Sequence, residues 1–315
     1  ILLLIILAVM PAEFIANDKP ILIWFEGAPY FPVFVDYLET DFGGFFDFQA
    51  DYSSPDVREL IMAGGWILDP LIPYSFDTEL DDITRAPSPP DANHWLGVDA
   101  KARDVLARVI YGLRISIAFG FILTIVTTIT SIVAGSLSGY YGGWTDLIFN
   151  RILEIYGAIP ALYVLIILSS IITPGFWVLL GFFILFGWFS GMGVVRAEFF
   201  RARKVDYVRA AKAIGLRERT IIFKHIMPNA LVATLTFLPF GLAASVTSLS
   251  GLDYLGFGLP PTYASLGDLS LQARNNLDAP YLAFTAFGTL GGLLMLLIFI
   301  GEGIRDAFDP RKTLR

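Results

Sequence analysis

Four long stretches of the chain contain no charged residue: 115–137, 176–195, 229–252 and 279–301, which are 23, 20, 24 and 23 residues long. A hydrocarbon core of about 30 Å takes about 20 residues of helix to cross, and each stretch has that length. A fifth apolar segment opens near Leu147, carries Arg151 and Glu154 in its first two turns, and then runs uncharged to Thr173. Pro160 predicts a bend within it. Residues 1–15 are apolar apart from Glu13 and too short to span alone. No basic segment precedes them and no small-x-small cleavage site follows, as a secretory signal would require. They are expected to form the outer half of a first transmembrane helix. The pattern predicts an all-α polytopic membrane protein with six transmembrane helices.

Between the first and second spans the pattern changes. Residues 17–104 hold fifteen Phe, Tyr and Trp, together with many Pro and Gly. Ile21–Phe25 reads as a short strand and Asp56–Ala63 as a helix opened after Pro55. The run Ala86-Pro87-Ser88-Pro89-Pro90-Asp91 is stiff and should start no helix. Such aromatic density is too high for a disordered linker. It predicts a small cap that packs on itself and on the helix ends, with a surface that can meet a soluble, substrate-carrying partner. Asp104–Gly112 is amphipathic and bordered by Arg103, Arg108 and Arg114, which predicts an interfacial helix with its cations near headgroups. A tight turn is expected at Gly139–Trp144.

Composition agrees: 55% of residues are hydrophobic and 16% charged, against about 25% charged in soluble domains. The net charge of −7 is unevenly spread. Residues 17–104 carry 17 acids against 5 bases, a balance of −12, whereas 196–228 carry 9 bases against 3 acids, a balance of +6. Lys and Arg accumulate on cytoplasmic loops. The 196–228 loop, the basic tail from Arg305 and both termini are therefore expected in the cytoplasm, with 17–104 and 251–278 outside. The implied divisions are a first helix (1–16), an extracytoplasmic insert (17–104), a membrane core (105–304) and a cytoplasmic tail (305–315).

Several chemistries are missing from the sequence. It contains no cysteine, so neither disulfides nor thiolates enter. His94 and His225 are too far apart in the expected topology to share a metal. No Gly-x-x-x-x-Gly-Lys-Ser/Thr phosphate loop is present, and no ionisable residue sits mid-span, where ion-driven carriers usually place one. The energy source is expected outside this chain. Thr124, Thr127, Thr128, Thr130 and Ser131 crowd one span, and Thr234, Thr236, Ser245, Thr247, Ser248 and Ser250 mark another. Hydroxyls there can bond the i−4 carbonyl, a neighbouring helix or a substrate, and sequence does not separate these uses.

The basic loop carries the most order. Asp206 is an N-cap candidate, Tyr207–Ile214 are good helix formers, and Gly215 is a natural stop. Arg217–Ile226 can form a second helix ended by Pro228. Ala210, Ala211 and Ala213 would let another protein approach closely, with flanking cations adding complementarity; a basic helix lying on anionic headgroups would share this composition. The order Ala210-Ala211, three residues, Gly215, then Pro228 thirteen positions later resembles the EAA loop of ABC-importer permeases. Arg209, with Asp206 three residues earlier, is similar to the oligopeptide and dipeptide branch. The resemblance extends to Leu96-Gly97-Val98-Asp99, to Ala102–Arg108 (with Ala102 where a glycine is usual), and to Ala134-Gly135, Gly139–Gly143 and Asp146. It continues through Leu255–Leu259, with Leu266 where Trp is frequent, to Ile300–Pro310. Ala16–Pro20, Tyr30-Phe31-Pro32, Asp41–Gly44 and Ala50-Asp51-Tyr52 within the insert are similar to permease subunits of microcin C and oligopeptide importers.

That resemblance implies a type I importer permease fold of six helices with an extracytoplasmic insert after the first. It implies a bacterial inner-membrane subunit of an ATP-driven importer for oligopeptides and peptide antibiotics such as microcin C, without an ATP site of its own. The loop residues Asp206, Tyr207, Arg209, Ala210, Ala211, Lys212, Gly215 and Pro228 would couple to the ATPase. Implied partners are a homologous second permease, an ATPase with two nucleotide sites that holds ATP and Mg, a periplasmic peptide-binding protein and the bilayer, with no nucleic acid and no cofactor in this chain. An energy-independent channel or an intramembrane enzyme is the competing reading. Either would need a charged ring or convergent catalysts, and the spans carry neither.

Overall fold

A computed structural model of the chain describes residues 2–80, 83 and 85–307. The expected basic tail lies outside the described residues beyond 307, as do the last three residues of the Ile300–Pro310 motif. The chain divides into two compact units, Ile1–Ser116 with Pro261–Leu290, and Ile117–Pro260 with Gly291–Arg315.

The first unit opens with two short helices, α1 (Leu2–Val9) and α2 (Ala12–Ile15). They are held by Tyr111, whose hydroxyl donates to the Ala16 carbonyl at 2.9 Å, and by Arg114, which pairs with Glu13 at 2.6 Å. A three-stranded antiparallel sheet follows, in the order β2 (Ala28–Tyr30), β1 (Leu22–Phe25), β3 (Gly65–Leu68). Glu26 (φ +48°) and Gly27 (φ +84°) close the β1–β2 hairpin; two residues at positive φ match the right-handed twist of the flanking strands. Alternation along β1 sends Ile23 and Phe25 into a core with Phe42, Ala50, Tyr52, Val57 and Ile61, while Trp24 faces out beside Trp66. Helix α3 (Pro55–Gly64) supplies Val57 and Ile61. The expected strand and helix are therefore present, and residues 22–68 pack on themselves.

The arginines ahead of the second span are not where the pattern predicts. Helix α4 runs unbroken from Val105 to Tyr141 over 37 residues, so no separate interfacial helix exists. Arg103 and Arg108 are buried, not extended toward headgroups. The reason is their partners. Asp99 takes Nε and Nη2 of Arg103 at 3.0 and 2.7 Å and lies 3.4 Å from Nε of Arg108. Asp268, on α13 (Leu266–Asn275), takes Nη2 of Arg108 at 3.0 Å. Gln272 donates to Asp268 at 2.9 Å. Nearby, Asp104 accepts the Ala107 N–H that opens α4 and holds His94 Nδ1 at 2.9 Å. Ala102 has φ +54°, a left-handed backbone that glycine would adopt at lower cost. His94 is thus a buried partner of a carboxylate.

The second unit holds α5 (Gly143–Ala158), α6 (Ala161–Ile171), α7 (Phe176–Gly187), α8 (Met192–Ala202), α9 (Asp206–Ala213), α10 (Glu218–Thr220), α11 (Met227–Leu235) and α12 (Leu238–Leu255). Phe119, Leu123, Leu165, Leu179, Leu180, Leu249 and Leu252 form one core cluster. Helices α4 and α8 cross where α4 presents glycine: a Cβ on Gly135 would lie 2.7 Å from Val195 Cβ, and one on Gly139 2.6 Å from the Arg196 carbonyl.

Among the described residues, three helical stretches are long and apolar enough to cross a membrane: Val105–Tyr141, Phe176–Ala202, and Pro280–Ala307, the last being α14. The pair α5–α6, bent by 64° at Pro160, makes a fourth if counted as one span. Two of the six expected spans do not meet this measure among the described residues. α1 has eight residues, about 12 Å of helix. The 229–252 stretch is broken at Thr236–Phe237, because Pro239 has no N–H to close the preceding turn, and its Ser and Thr lower the apolarity of α12.

Candidate functional site

The 206–228 loop begins with α9, Asp206–Ala213. Val205, in extended conformation, is its N-cap, and Asp206 occupies the first turn. Asp206 therefore acts on the helix dipole and does not cap. At the far end Gly215 has φ +80°, its N–H bonds the Lys212 carbonyl at 3.0 Å, and the Leu216 N–H bonds the Ala211 carbonyl at 3.1 Å. These paired bonds form a Schellman motif, which needs the left-handed residue that glycine supplies.

The second helix does not stop at Pro228. α10 (Glu218–Thr220) passes into a π-helical turn, Ile221–Ile226, and continues as α11 with Pro228 in its first turn. The wider turn accommodates a residue that has no N–H and whose ring would strike the carbonyl four residues back. The His225 carbonyl accepts from Asn229 Nδ2 at 3.3 Å and from the Tyr207 hydroxyl at 3.4 Å. Tyr207 thereby ties α9 to the following helix.

Val208 and Ala211, three positions apart, are buried against Tyr140, Val195, Phe199, Ile221, Ile222 and Ile226. Ala211 thus serves this chain's own packing, while Ala210 is exposed. Lys212 sets its ammonium 4.7 Å over the Tyr140 ring. Arg209 is outward, 3.9 Å from a fully exposed Asp206. Ile214 is 76% exposed, Leu216 37% and Val205 41%. Asp206, Arg209, Ala210 and Gly215 therefore share an open, partly apolar and partly basic surface. Ala211, Lys212 and Tyr207 tie it to the helices behind, while Pro228 is exposed and has no such contact. Sequence reading did not find Ile214 and Leu216. The available signal was the 208/211 spacing, which puts Ile214 beyond the buried register.

Behind the loop, Arg196 on α8 grips Asp146 on α5 with both Nε and Nη2, the latter at 2.7 Å, and Ser138 and Asn150 donate to the same carboxylate. Arg203 donates to the Tyr140 carbonyl at 3.2 Å and stacks 4.4 Å over Phe200. The base on which α9 rests is thus built by cations of the loop itself. The second unit also carries a half-open cavity of about 510 Å³, lined in part by hydroxyls of both Ser/Thr-rich segments and by no charged residue. Among the described residues no group of three or more His, Asp or Glu could hold a metal ion.

A family model for the binding-protein-dependent transport system inner membrane component matches residues 131–314, which include the whole loop. The chain is 50% identical to the peptidoglycan transport system permease protein YejE of Agrobacterium fabrum, over 96% of this chain and 86% of that protein. It is 51% identical to the inner membrane ABC transporter permease protein YejE of Escherichia coli K12, over 96% and 89%. The oligopeptide transport system permease protein OppC of Bacillus subtilis is 30% identical over 75% of this chain and 78% of its own length. Among solved structures, an inward-facing MetNI methionine ABC transporter shares the fold, with TM-score 0.50 and 16% identity over 64% of this chain and 96% of that one. The YejE and OppC relatives are named as permease proteins, not as hydrolysing subunits. The chain belongs to the family of binding-protein-dependent inner-membrane transport components, as an ABC-transporter permease of the peptide-importer type.

Proposed function

We propose that this chain couples ATP hydrolysis on a companion ATPase to peptide import, with α9 and its glycine stop as the force-receiving handle. The observation that carries this is the two-sidedness of the loop. Val208, Ala211, Tyr207 and Lys212 fix it to the chain's own helices, while Val205, Arg209, Ala210, Ile214 and Leu216 face away. A stiff element with one bonded side and one open apolar-basic side suits transmission between two packings of the helices. The companion ATPase would hold two nucleotide sites with ATP and Mg, and this chain no cofactor. A homologous second permease would complete the path, and a periplasmic binding protein would deliver substrate.

In this reading the chain forms six spans, the first at 1–16 and five in a core bounded at 105 and 304, with residues 17–104 outside and the 196–228 loop and both termini in the cytoplasm. The charge asymmetry supports that orientation. Oligopeptides, and peptide antibiotics such as microcin C, are the proposed cargo. The relative named for peptidoglycan transport supports peptide-bearing wall fragments as a second cargo. A channel or intramembrane enzyme is disfavoured by the absence of charge around the cavity.

The test substitutes Ile214→Asp, which is exposed and free to change without disturbing the core. In vesicles containing the assembled importer, ATP-driven uptake and substrate-stimulated hydrolysis should fall at least tenfold while membrane level and complex assembly persist. Uptake at the unsubstituted rate, or uptake that continues without ATP, would refute the coupling role.

A further inference from the structure

The 510 Å³ cavity of the second unit lies within the range of about 300–1,000 Å³ common for ligand sites. Eight of its lining side chains carry hydroxyls: Thr124, Thr127, Thr128, Ser131, Ser190, Thr234, Ser245 and Ser248. A hydroxyl has one proton to give and two lone pairs to receive with, so where the proton goes decides what the wall offers.

In six of the eight the proton is already committed. Thr127 donates to the Leu123 carbonyl at 2.7 Å, Ser190 to Gly187 at 3.0 Å, Thr234 to Ala230 at 3.2 Å and Ser245 to Gly241 at 2.9 Å. Ser131 donates to the Trp188 carbonyl. With the Ser245 proton spent on Gly241, the 3.2 Å contact between Thr124 and Ser245 has Thr124 as donor. The oxygens retain lone pairs, and no Asp, Glu, Lys, Arg or His accompanies them in the lining. The wall is mostly apolar, and its polar part offers neutral acceptors more than donors.

We infer that this cavity is a substrate-binding surface of the translocation path and that it recognises amide N–H groups of a peptide main chain. The inference rests on the peptide-importer reading and adds the chemistry that its path selects. An acceptor wall without charge satisfies the N–H donors of a backbone whatever its side chains are, and a buried N–H without a partner is costly. A cargo whose amides are replaced by esters offers nothing to these oxygens. The glycines in the lining, Gly187, Gly191 and Gly241, leave space beside the hydroxyls for a main chain.

The experiment uses the complete importer in sealed vesicles, with tetra-alanine and a depsipeptide in which one amide N–H is replaced by an ester oxygen. Uptake of each is measured for the unsubstituted importer and for a Thr127→Val/Ser131→Ala/Ser245→Ala form, with membrane level and complex assembly checked. Delivery by the binding protein is common to both forms and cancels in the ratio. The unsubstituted importer should prefer the amide by about fivefold, the worth of about one hydrogen bond, and the substituted form should lose that preference. A Thr127→Ser form, which keeps the acceptor, should retain it. An unchanged preference in an assembled triple substitution overturns the inference and leaves the importer reading standing. If the unsubstituted importer moves no tetra-alanine with ATP, both fall. Should the triple form fail to assemble, Thr127→Val alone is compared with Thr127→Ser, and equal preference in those two overturns the inference.

Discussion

Two charged regions of this chain look alike on paper and are built in opposite ways. Around residues 99–108 and 268 the charges are inside. Two arginines and two aspartates neutralise one another in a buried network, with Arg108 wholly enclosed. In the 196–228 loop they stay nearer the surface, and their partners are mixed: single carboxylates for Arg196, Arg201 and Arg209, aromatic faces under Lys212, Arg196 and Arg203, and a main-chain carbonyl for Arg203. A buried charge must be matched by an opposite charge, because taking it out of water is expensive. A half-exposed one can settle on a ring or a carbonyl for about 0.5–1 kcal/mol. The first arrangement fixes a structure, and the second leaves a surface that another protein can still bind.

The largest effect should come from breaking the buried network. Arg108→Met removes one guanidinium from between Asp99 and Asp268 and leaves the buried network one positive charge short, with Arg103 facing two carboxylates. The expected loss is about 3–5 kcal/mol, read as a lowered thermal midpoint in detergent or as loss of the protein from the membrane. Arg201→Ala is the control, since the Arg201–Glu198 pair has an arginine that is 76% exposed. Pairs of that kind are worth under about 1 kcal/mol. Equal losses in the two substitutions would erase the distinction between the regions.

A smaller effect is expected from Arg196→Lys. The guanidinium meets both oxygens of Asp146 as a fork, and an ammonium can meet only one at a time. The two side chains are 32% and 16% exposed, so the stability loss should be modest, about 1 kcal/mol. Its consequence for coupling should exceed that figure, because α8 carries Val195 and Phe199 into the cluster under α9. Measured together, thermal midpoint and substrate-stimulated hydrolysis separate the two: a hydrolysis loss no greater than the stability loss would show that the fork merely holds the fold.

The fold was legible where one physical signal dominated. Uncharged length marked α4, the 176–202 stretch and α14, and Pro160 marked the bend. The Ala-Ala-to-Gly spacing located α9 and its Schellman stop, because a left-handed C-terminal position demands glycine. Arg103 and Arg108 misled, since amphipathic periodicity reports that a charge lies on one face but not what faces it. Asp268 is 160 residues from Arg108, and no local pattern reveals it. Pro228 misled in the same way: a π-helical turn lets the helix pass through it, and the turn depends on tertiary packing of Ile221, Ile222 and Ile226. The cavity's hydroxyls were visible as a cluster, but the direction of each proton required the backbone around it.

The smallest effect tests the self-packed part of the insert. Tyr52 is buried in the cluster of Ile23, Phe25 and Phe42, and its hydroxyl has no hydrogen-bond partner among the described residues. Tyr52→Phe removes a polar atom that is buried without compensation, so stability should be unchanged or slightly raised near neutral pH. The alkaline limb separates the two proteins. Burial, followed by Tyr37, Asp36 and Asp41, pushes the Tyr52 phenol above its ordinary value of 10.0. With the folded-state value raised, the unfolded chain releases the proton first, near pH 10. The contribution of the neutral phenol is therefore complete below about pH 10 and is lost as pH rises above it. Tyr52→Phe should flatten that part of the stability–pH curve while leaving the acid side unchanged. Identical alkaline curves for both proteins would mean that the ring is open to water, and that this region lacks the independent core on which its contrast with the basic loop depends.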